Sequence, residues 1–129
     1  MGMDYIYAGS SSYQRFDNEI CDIAYLLGGK LKEPYKERLE QADLKNNLYI
    51  FGLLNVSDAD RQSDKFEFPS EVNEVVADWL NHPYEVYDVE KTKIIWEFIS
   101  KHPQIKDISG QIWKELESLV EFEEGWSIC

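Results

Sequence analysis

The clearest helical segment of the chain is PSEVNEVVADWLNH, residues 69–82. Its valines and Trp79 recur at steps of three and four residues, which is typical of the buried face of an amphipathic helix. Two glutamates fall in the first turn, where the positive end of the helix dipole favours acids. The His82-Pro83 pair ends the segment, because a residue before proline is pushed out of helical geometry. The pattern therefore predicts a helix that Pro69 and Ser70 introduce.

Two further helices are predicted in the C-terminal part of the chain. Asp88 is placed to cap a helix with Trp96 on its apolar side, and His102-Pro103 closes that helix. Asp107 is placed to cap a last helix whose apolar face carries Trp113. Three consecutive helices are thus expected after residue 69.

The N-terminal half has weaker patterns. Apolar residues at helical spacing predict a helix from Ser12 to Leu27, which Gly28-Gly29 ends. Pro34 suits the first turn of a second helix. Asp4–Ala8 fits a short strand. Residues 44–56 fit either a helix or a buried strand at Leu48–Leu54, with the helix favoured.

These elements predict a mainly α fold. Residues 57–68 are polar and charged without a sustained apolar face, which indicates a surface loop. A chain of 129 residues suits one domain, so we expect a single acidic globular domain over residues 1–129. We predict a helical bundle of about five helices, with one or two short strands in the N-terminal half. An α+β fold is the alternative.

Negative charge is concentrated in the middle and at the end of the chain. The net charge is −12, and Asp58–Glu90 contains ten acids but only Arg61 and Lys65 as bases. We call this the central acidic zone, and Glu115–Glu124 the C-terminal acidic segment. Residues 91–114 are net basic. Such a field attracts a basic ligand and repels nucleic acid and anionic lipid.

The sequence also indicates a compartment. No basic region followed by an apolar run opens the chain, so no secretory signal is predicted. No apolar run is long enough to span a membrane. Cys21 and Cys129 are isolated, as expected of free thiols in a reducing environment. We therefore expect a cytoplasmic protein, and its oligomeric state stays open.

No motif for catalysis, a cofactor or a metal is complete. Asp58, Asp60 and Asp64 resemble the start of a calcium loop, but Ser63 and Pro69 stand where Gly and Glu are required. His82 and His102 are 20 residues apart, and no Cys or second His stands at zinc-ligand spacing from either of them. The glycine, serine and cysteine positions fit neither a phosphate loop nor a nucleophile motif. We expect no enzyme activity, no cofactor, no metal and no catalytic residue.

A protein-binding surface is the function that remains. Residues 84–90 (YEVYDVE) and 121–126 (EFEEGW) interleave aromatic rings with carboxylates. Tyrosine gives contact area at low entropic cost, and carboxylates accept paired bonds from arginine. The predicted partner-contact residues are Asp58, Asp60, Asp64, Glu67, Tyr84, Glu85, Tyr87, Asp88, Glu90, Glu121, Glu123, Glu124 and Trp126.

This small, acidic, aromatic-rich chain resembles bacterial immunity proteins of the contact-dependent growth inhibition and colicin types. Residues 66–70 (FEFPS) are similar to the turn that bears the toxin-binding tyrosines of colicin DNase immunity proteins. Phe66 and Phe68 lack the hydroxyls, so no functional residue is transferred. The resemblance implies a stoichiometric inhibitor of a basic toxin domain, commonly a nuclease.

Two other functions are kept as alternatives. One is a nucleic-acid mimic that occupies DNA-binding proteins through arrayed carboxylates, although the basic residues 91–114 disfavour so uniform a surface. The other is a small metal-dependent enzyme whose site is assembled from scattered carboxylates.

Overall fold

The structure, a computed structural model, describes residues 11–41 and 54–128. Within these residues it is mainly α, with seven helices and one two-stranded antiparallel sheet. The elements in chain order are α1 (Ser11–Leu26), β1 (Lys30–Leu31), α2 (Tyr35–Gln41), α3 (Asp58–Gln62), β2 (Phe66–Glu67), α4 (Glu74–Asn81), α5 (Val89–Ile99), α6 (Gln104–Ile108) and α7 (Gly110–Glu121). The predicted fold class is confirmed.

The main core lies between α1 and the C-terminal helices. Helix α5 packs against α4 and α7, α6 packs against α7, and α1 contacts both α4 and α6. Trp79 and Trp126 are fully buried and meet edge to face, with ring centroids 5.2 Å apart. Aromatic pairs prefer this geometry because the positive edge of one ring faces the negative face of the other.

A second, smaller core lies on another side of α1. It joins Cys21 and Ala24 of α1 to Tyr35, Leu54 and Phe66. Helix α1 is therefore buried on two sides, against the main core and against the sheet region. In that sheet, Leu31 lies opposite Phe66 in antiparallel register.

The predicted helix at the N-terminus is confirmed, with one residue of shift at each end. It spans Ser11–Leu26, and Gly28 follows it with φ of +88°, a left-handed conformation that glycine adopts without strain. The second predicted helix is present as α2, directly after Pro34. The predicted strand at Asp4–Ala8 and most of the ambiguous segment, residues 44–53, lie outside the described residues.

Helix α4 begins later than predicted. Its N-cap is Asn73, whose side chain accepts a hydrogen bond from the amide of Val75, so residues 69–72 are a turn rather than helix. The predicted end is confirmed, since α4 stops at Asn81 and His82 caps it.

The predicted N-cap is confirmed for α5 and is wrong for α7. Asp88 caps α5 as predicted, accepting a bond of 2.8 Å from the amide of Lys91. Asp107 does not cap the last helix, because it lies inside the short α6. The hydroxyl of Ser109 caps α7 instead, bonded to the amide of Ile112 at 3.1 Å.

The prediction of a loop over residues 57–68 is wrong. Ser57 and Asp60 form a reciprocal capping box that starts α3, and Phe66–Glu67 form β2. The strand is held by Asn81, whose side-chain oxygen accepts from the amides of Lys65 and Phe66 at 2.8 Å each.

Within residues 11–41 and 54–128, none of the helices combines the length and the apolar character needed to cross a bilayer.

Candidate functional site

Most of the predicted contact side chains lie at the surface. The exposed ones are Asp58, Asp64, Glu67, Tyr84, Glu85, Asp88, Glu90, Glu121 and Glu123. Glu124 is half-buried. The remaining three, Asp60, Tyr87 and Trp126, are buried and are treated below.

Few of the exposed carboxylates are neutralised by the protein's own cations. Asp58 pairs with Arg61 at 3.2 Å and Glu123 with Lys93 at 3.9 Å, and Asp64 lies 2.7 Å from His82, which is charged only when protonated. Among the described residues, Glu67, Glu85 and Glu90 have no Lys, Arg or His nitrogen within 4.0 Å. Much of the charge of the central acidic zone therefore lies at the surface without a cationic partner among the described residues.

Asp60 is a structural residue rather than an exposed contact, which corrects the prediction. It is 8% exposed, and its Oδ2 accepts from Arg38 at 2.8 Å and from the amides of Val56 and Ser57. The bond from Arg38 lowers the pKa of the Asp60 carboxyl to about 2, against the opposing effect of burial. This carboxylate holds the start of α3 against α2.

Tyr87 and Trp126 are also corrected, because they lie in the main core. Tyr87 is 2% exposed, and its hydroxyl donates to the carbonyl of His82 at 2.9 Å. Burial raises the pKa of that phenol well above its ordinary value. Trp126 is 0% exposed, and its indole nitrogen donates to the carbonyl of Pro83 at 2.8 Å. Both rings find their polar partners inside the protein.

Their burial nevertheless brings the two acidic segments together. The amide of Tyr87 donates to the carbonyl of Trp126 at 3.0 Å, in an isolated antiparallel bridge. Gly125 fits here because a Cβ on it would collide with the carbonyl oxygen of Tyr87 and would lie 3.3 Å from the Cα of Asp88. Gly125 and Trp126, which directly follow the C-terminal acidic segment, thus run beside Tyr87 and Asp88.

A cavity of about 210 Å³ opens next to the turn that follows α4. Its walls are mainly apolar and include Ile20, Cys21, Leu54, Phe66, Leu80 and Pro83. Phe66 is itself 4% exposed, so this ring of the FEFPS turn serves the cavity wall and the smaller core. Two of the predicted contact residues, Tyr84 and Glu85, also line the cavity.

The cavity contains one buried carboxyl group, that of Asp17 on α1. Asp17 is 7% exposed, and its Oδ1 accepts a hydrogen bond of 2.5 Å from the hydroxyl of Tyr84. Its Oδ2 is buried and has no hydrogen-bond partner. Burial raises the pKa of this carboxyl from 3.8 to about 7, although the bond from Tyr84 opposes the shift.

Bases around the cavity are engaged with other groups. Arg61 bonds Asp58, and His82 bonds Asp64. Lys65 is 5% exposed, and its ammonium donates to the backbone carbonyls of Asp60 and Ser63. Burial lowers the pKa of Lys65, while the two aspartates near it oppose the shift. None of these cations reaches the free oxygen of Asp17.

The thiol at the cavity is poorly suited to nucleophilic attack. Cys21 lies one helical turn after Asp17 on α1. Burial, together with the charges of Asp17 and Asp22, raises the pKa of its thiol to about 12. A thiol held protonated is a poor nucleophile. Within the described residues, no group of three or more His, Cys, Asp or Glu side chains is placed to hold a metal ion.

The sequence contains a signal for Asp17. Asp17 lies three and four positions before Ile20 and Cys21, so it shares the apolar face of the predicted helix. An acid on an apolar face is unusual because a buried charge is costly unless it is paired. Such residues are candidates for function.

Comparison with known proteins finds no match to a family model, a curated protein or a solved structure.

Proposed function

We propose that this chain is an immunity protein, which binds a basic toxin domain in the bacterial cytoplasm and blocks its activity. One observation carries the proposal. The central acidic zone has a net charge of −8, and several of its exposed carboxylates have no cationic partner among the described residues. This charge is available to a second molecule.

The physical basis is electrostatic attraction followed by ionic hydrogen bonding. Exposed carboxylates speed the arrival of a basic partner, and the effect weakens as salt screens the field. At the centre of an interface, a carboxylate can accept two parallel bonds from one arginine. The toxin activity most compatible with such a surface is that of a nuclease, because nucleases are basic where they bind phosphate.

The proposed contact surface is smaller than the sequence alone indicated. It keeps the nine exposed residues and Glu124, and it leaves out Asp60, Tyr87 and Trp126 because these side chains are buried. Tyr84 is the aromatic residue of this surface, at 39% exposure.

The basic segment distinguishes a dedicated inhibitor from a nucleic-acid mimic. Lys91, Lys101, Lys106 and Lys114 are all exposed, so residues 91–114 also present positive charge at the surface. An array of carboxylates that imitates a phosphate backbone has no use for such a region. This observation favours one specific partner over many DNA-binding proteins.

Co-expression tests the proposal. Bacteria that produce the toxin domain encoded in the neighbouring reading frame should grow only when this chain is also produced. The purified toxin should lose its activity at one equivalent of the chain. Growth arrest despite co-expression, or toxin activity unchanged by excess chain, would contradict the proposal. Competition with DNA for several unrelated DNA-binding proteins would instead favour the mimic.

A further inference from the structure

Asp17, which lines the cavity beside α1, has a buried carboxyl oxygen that lacks a partner. Asp17 is more than nine-tenths buried, and its Oδ2 has no hydrogen-bond partner among residues 11–41 and 54–128. Almost all buried polar atoms in proteins are bonded, and the exceptions call for an explanation such as a missing ligand. The orphaned oxygen therefore points to a ligand that supplies a donor.

The surroundings of Asp17 define what that donor must be. Tyr84 already satisfies Oδ1, and the ring of Tyr84 is fixed by an edge-to-face contact with Phe16 at 5.5 Å. The cavity walls beyond the carboxyl are mainly aliphatic and aromatic. A fitting ligand has an apolar stem and a terminal group that donates hydrogen bonds to a carboxylate.

Charge selects a cationic donor over a neutral one. Above its pKa of about 7 the Asp17 carboxyl is ionised, and a carboxylate in a low-dielectric site is stabilised most by a positive charge in contact, since ionic hydrogen bonds are about twice as strong as neutral ones. At the cavity, Arg61 is paired with Asp58, the His82 ring is bonded to Asp64, and the ammonium of Lys65 is bonded to backbone carbonyls. Glu85, which also lines the cavity, has no cation within 4.0 Å among the described residues.

We propose that this cavity binds an ammonium or guanidinium group on an apolar stem, with the carboxylate of Asp17 as its acceptor. The occupant we assign is a lysine or arginine side chain of the toxin domain, and this part rests on the proposed function. A free organic amine has the same chemistry. Tyr84 links the cavity to the proposed contact surface, because it belongs to that surface and also bonds Asp17.

The test of the cavity uses small probes and needs no toxin. n-Butylammonium imitates the end of a lysine side chain, and 1-butanol has the same number of non-hydrogen atoms without the charge. Titrations followed by amide and carboxyl NMR of the full chain should show millimolar binding of n-butylammonium near residues 17–21 and 83–85. 1-Butanol should bind more weakly by about tenfold or more.

Two variants test whether binding of n-butylammonium depends on the Asp17 carboxylate. Asp17→Asn keeps the shape and the acceptor for Tyr84, and it should weaken n-butylammonium binding by about tenfold or more. Asp22→Asn is the matched control, because Asp22 lies on the same helix but is exposed. Equal binding of the alcohol, or unchanged binding by folded Asp17→Asn, would overturn the proposal.

The toxin then identifies the source of the cation. If the assigned occupant is correct, Asp17→Asn weakens toxin binding by about tenfold or more while Asp22→Asn does not. If n-butylammonium needs Asp17 but toxin binding does not, the cavity binds a free amine and our assignment of a toxin side chain is overturned. Failure of n-butylammonium to bind overturns the cavity proposal alone, since inhibition of the toxin is measured separately.

Discussion

The hydroxyl of Tyr84 donates to Oδ1 of Asp17 at 2.5 Å, across 67 positions of sequence. This bond ties the turn after α4 to the first half of α1 and holds a buried carboxyl group in a defined position. The other oxygen of the same group remains without a partner. Asp17 thus has a structural role through Oδ1, while its Oδ2 is left to accept a hydrogen bond from a ligand.

Removing the charge of Asp17 should stabilise the protein at neutral and alkaline pH. The folded-state pKa is about 7 against an ordinary 3.8, so the folded protein holds this proton more tightly than the unfolded chain. Stability from this group therefore falls as pH rises between these two values. Asp17→Asn should raise the free energy of unfolding at pH 8 by up to about 4 kcal/mol, since one pKa unit is about 1.4 kcal/mol.

Urea unfolding of the wild type and Asp17→Asn over a pH series from about 4 to 8 measures this effect. The gain should shrink toward the acid end of the series, where the native carboxyl is already neutral. Asp22→Asn serves as the control and should show a smaller dependence. A constant difference between Asp17→Asn and wild type at every pH would show that the charge is not responsible.

Trp126→Ala should act through folding rather than through lost contact with a partner. The side chain is fully buried against Trp79 and bonded to the carbonyl of Pro83, so its removal should cost about 3–5 kcal/mol. Phe122→Ala is the control, because Phe122 is 66% exposed and should change stability by less than about 0.5 kcal/mol. Thermal and urea unfolding measure both, and equal stabilities for the two variants would argue against the buried position of Trp126.

Gly125 should not tolerate a side chain. A Cβ at this position collides with the carbonyl oxygen of Tyr87, so Gly125→Ala should destabilise the protein by about 1–3 kcal/mol. Gly110→Ala is the matched control in the first turn of α7. A Cβ there meets nothing within 4 Å, and the substitution should stabilise by about 0.4–1 kcal/mol. If chemical denaturation shows that both substitutions change the free energy of unfolding in the same direction, the bridge between Tyr87 and Trp126 is not as described.

Asp60→Asn should weaken the protein and reduce its sensitivity to acid. The carboxylate has a pKa of about 2 because Arg38 and two backbone amides bond its charged form. Its contribution is complete above the unfolded value of 3.8 and is lost as pH falls toward 2. Circular dichroism during acid titration should therefore show a smaller acid-induced loss of stability in the variant. An unchanged acid transition would contradict this role.

The longer helices were predictable because their apolar faces repeat over two or more turns, whereas the five-residue helices α3 and α6 have no such repeat and are absent from the prediction. Their starting points were harder, since several capping residues lie close together. Ser70 and Asn73 both precede α4, and Asp107 and Ser109 both precede α7, but only Asn73 and Ser109 accept the capping bonds. Tertiary packing decides between such neighbours, which intrinsic preference alone does not.

The contact residues could be predicted only in part. The surface position of most carboxylates could be predicted, because unpaired charged side chains are almost never buried. Aromatic residues carry no such rule, so the burial of Tyr87 and Trp126 depends on a bridge between positions far apart in sequence. The burial of Asp60 depends on its capping box with Ser57 and on Arg38, which a polar segment without an apolar face does not indicate.

The central claim is that the exposed carboxylates of the central acidic zone attract a basic toxin domain. Its most direct test is the association rate constant of a triple variant, Glu67→Gln with Glu85→Gln and Glu90→Gln. The control combines Glu37→Gln, Glu40→Gln and Glu97→Gln, three exposed glutamates outside the zone, so both variants lose the same total charge. At low salt, the first variant should bind the toxin domain more slowly by about tenfold, with the difference narrowing at higher ionic strength, while the control stays near wild type. Equal association rates for the two triple variants would contradict the claim.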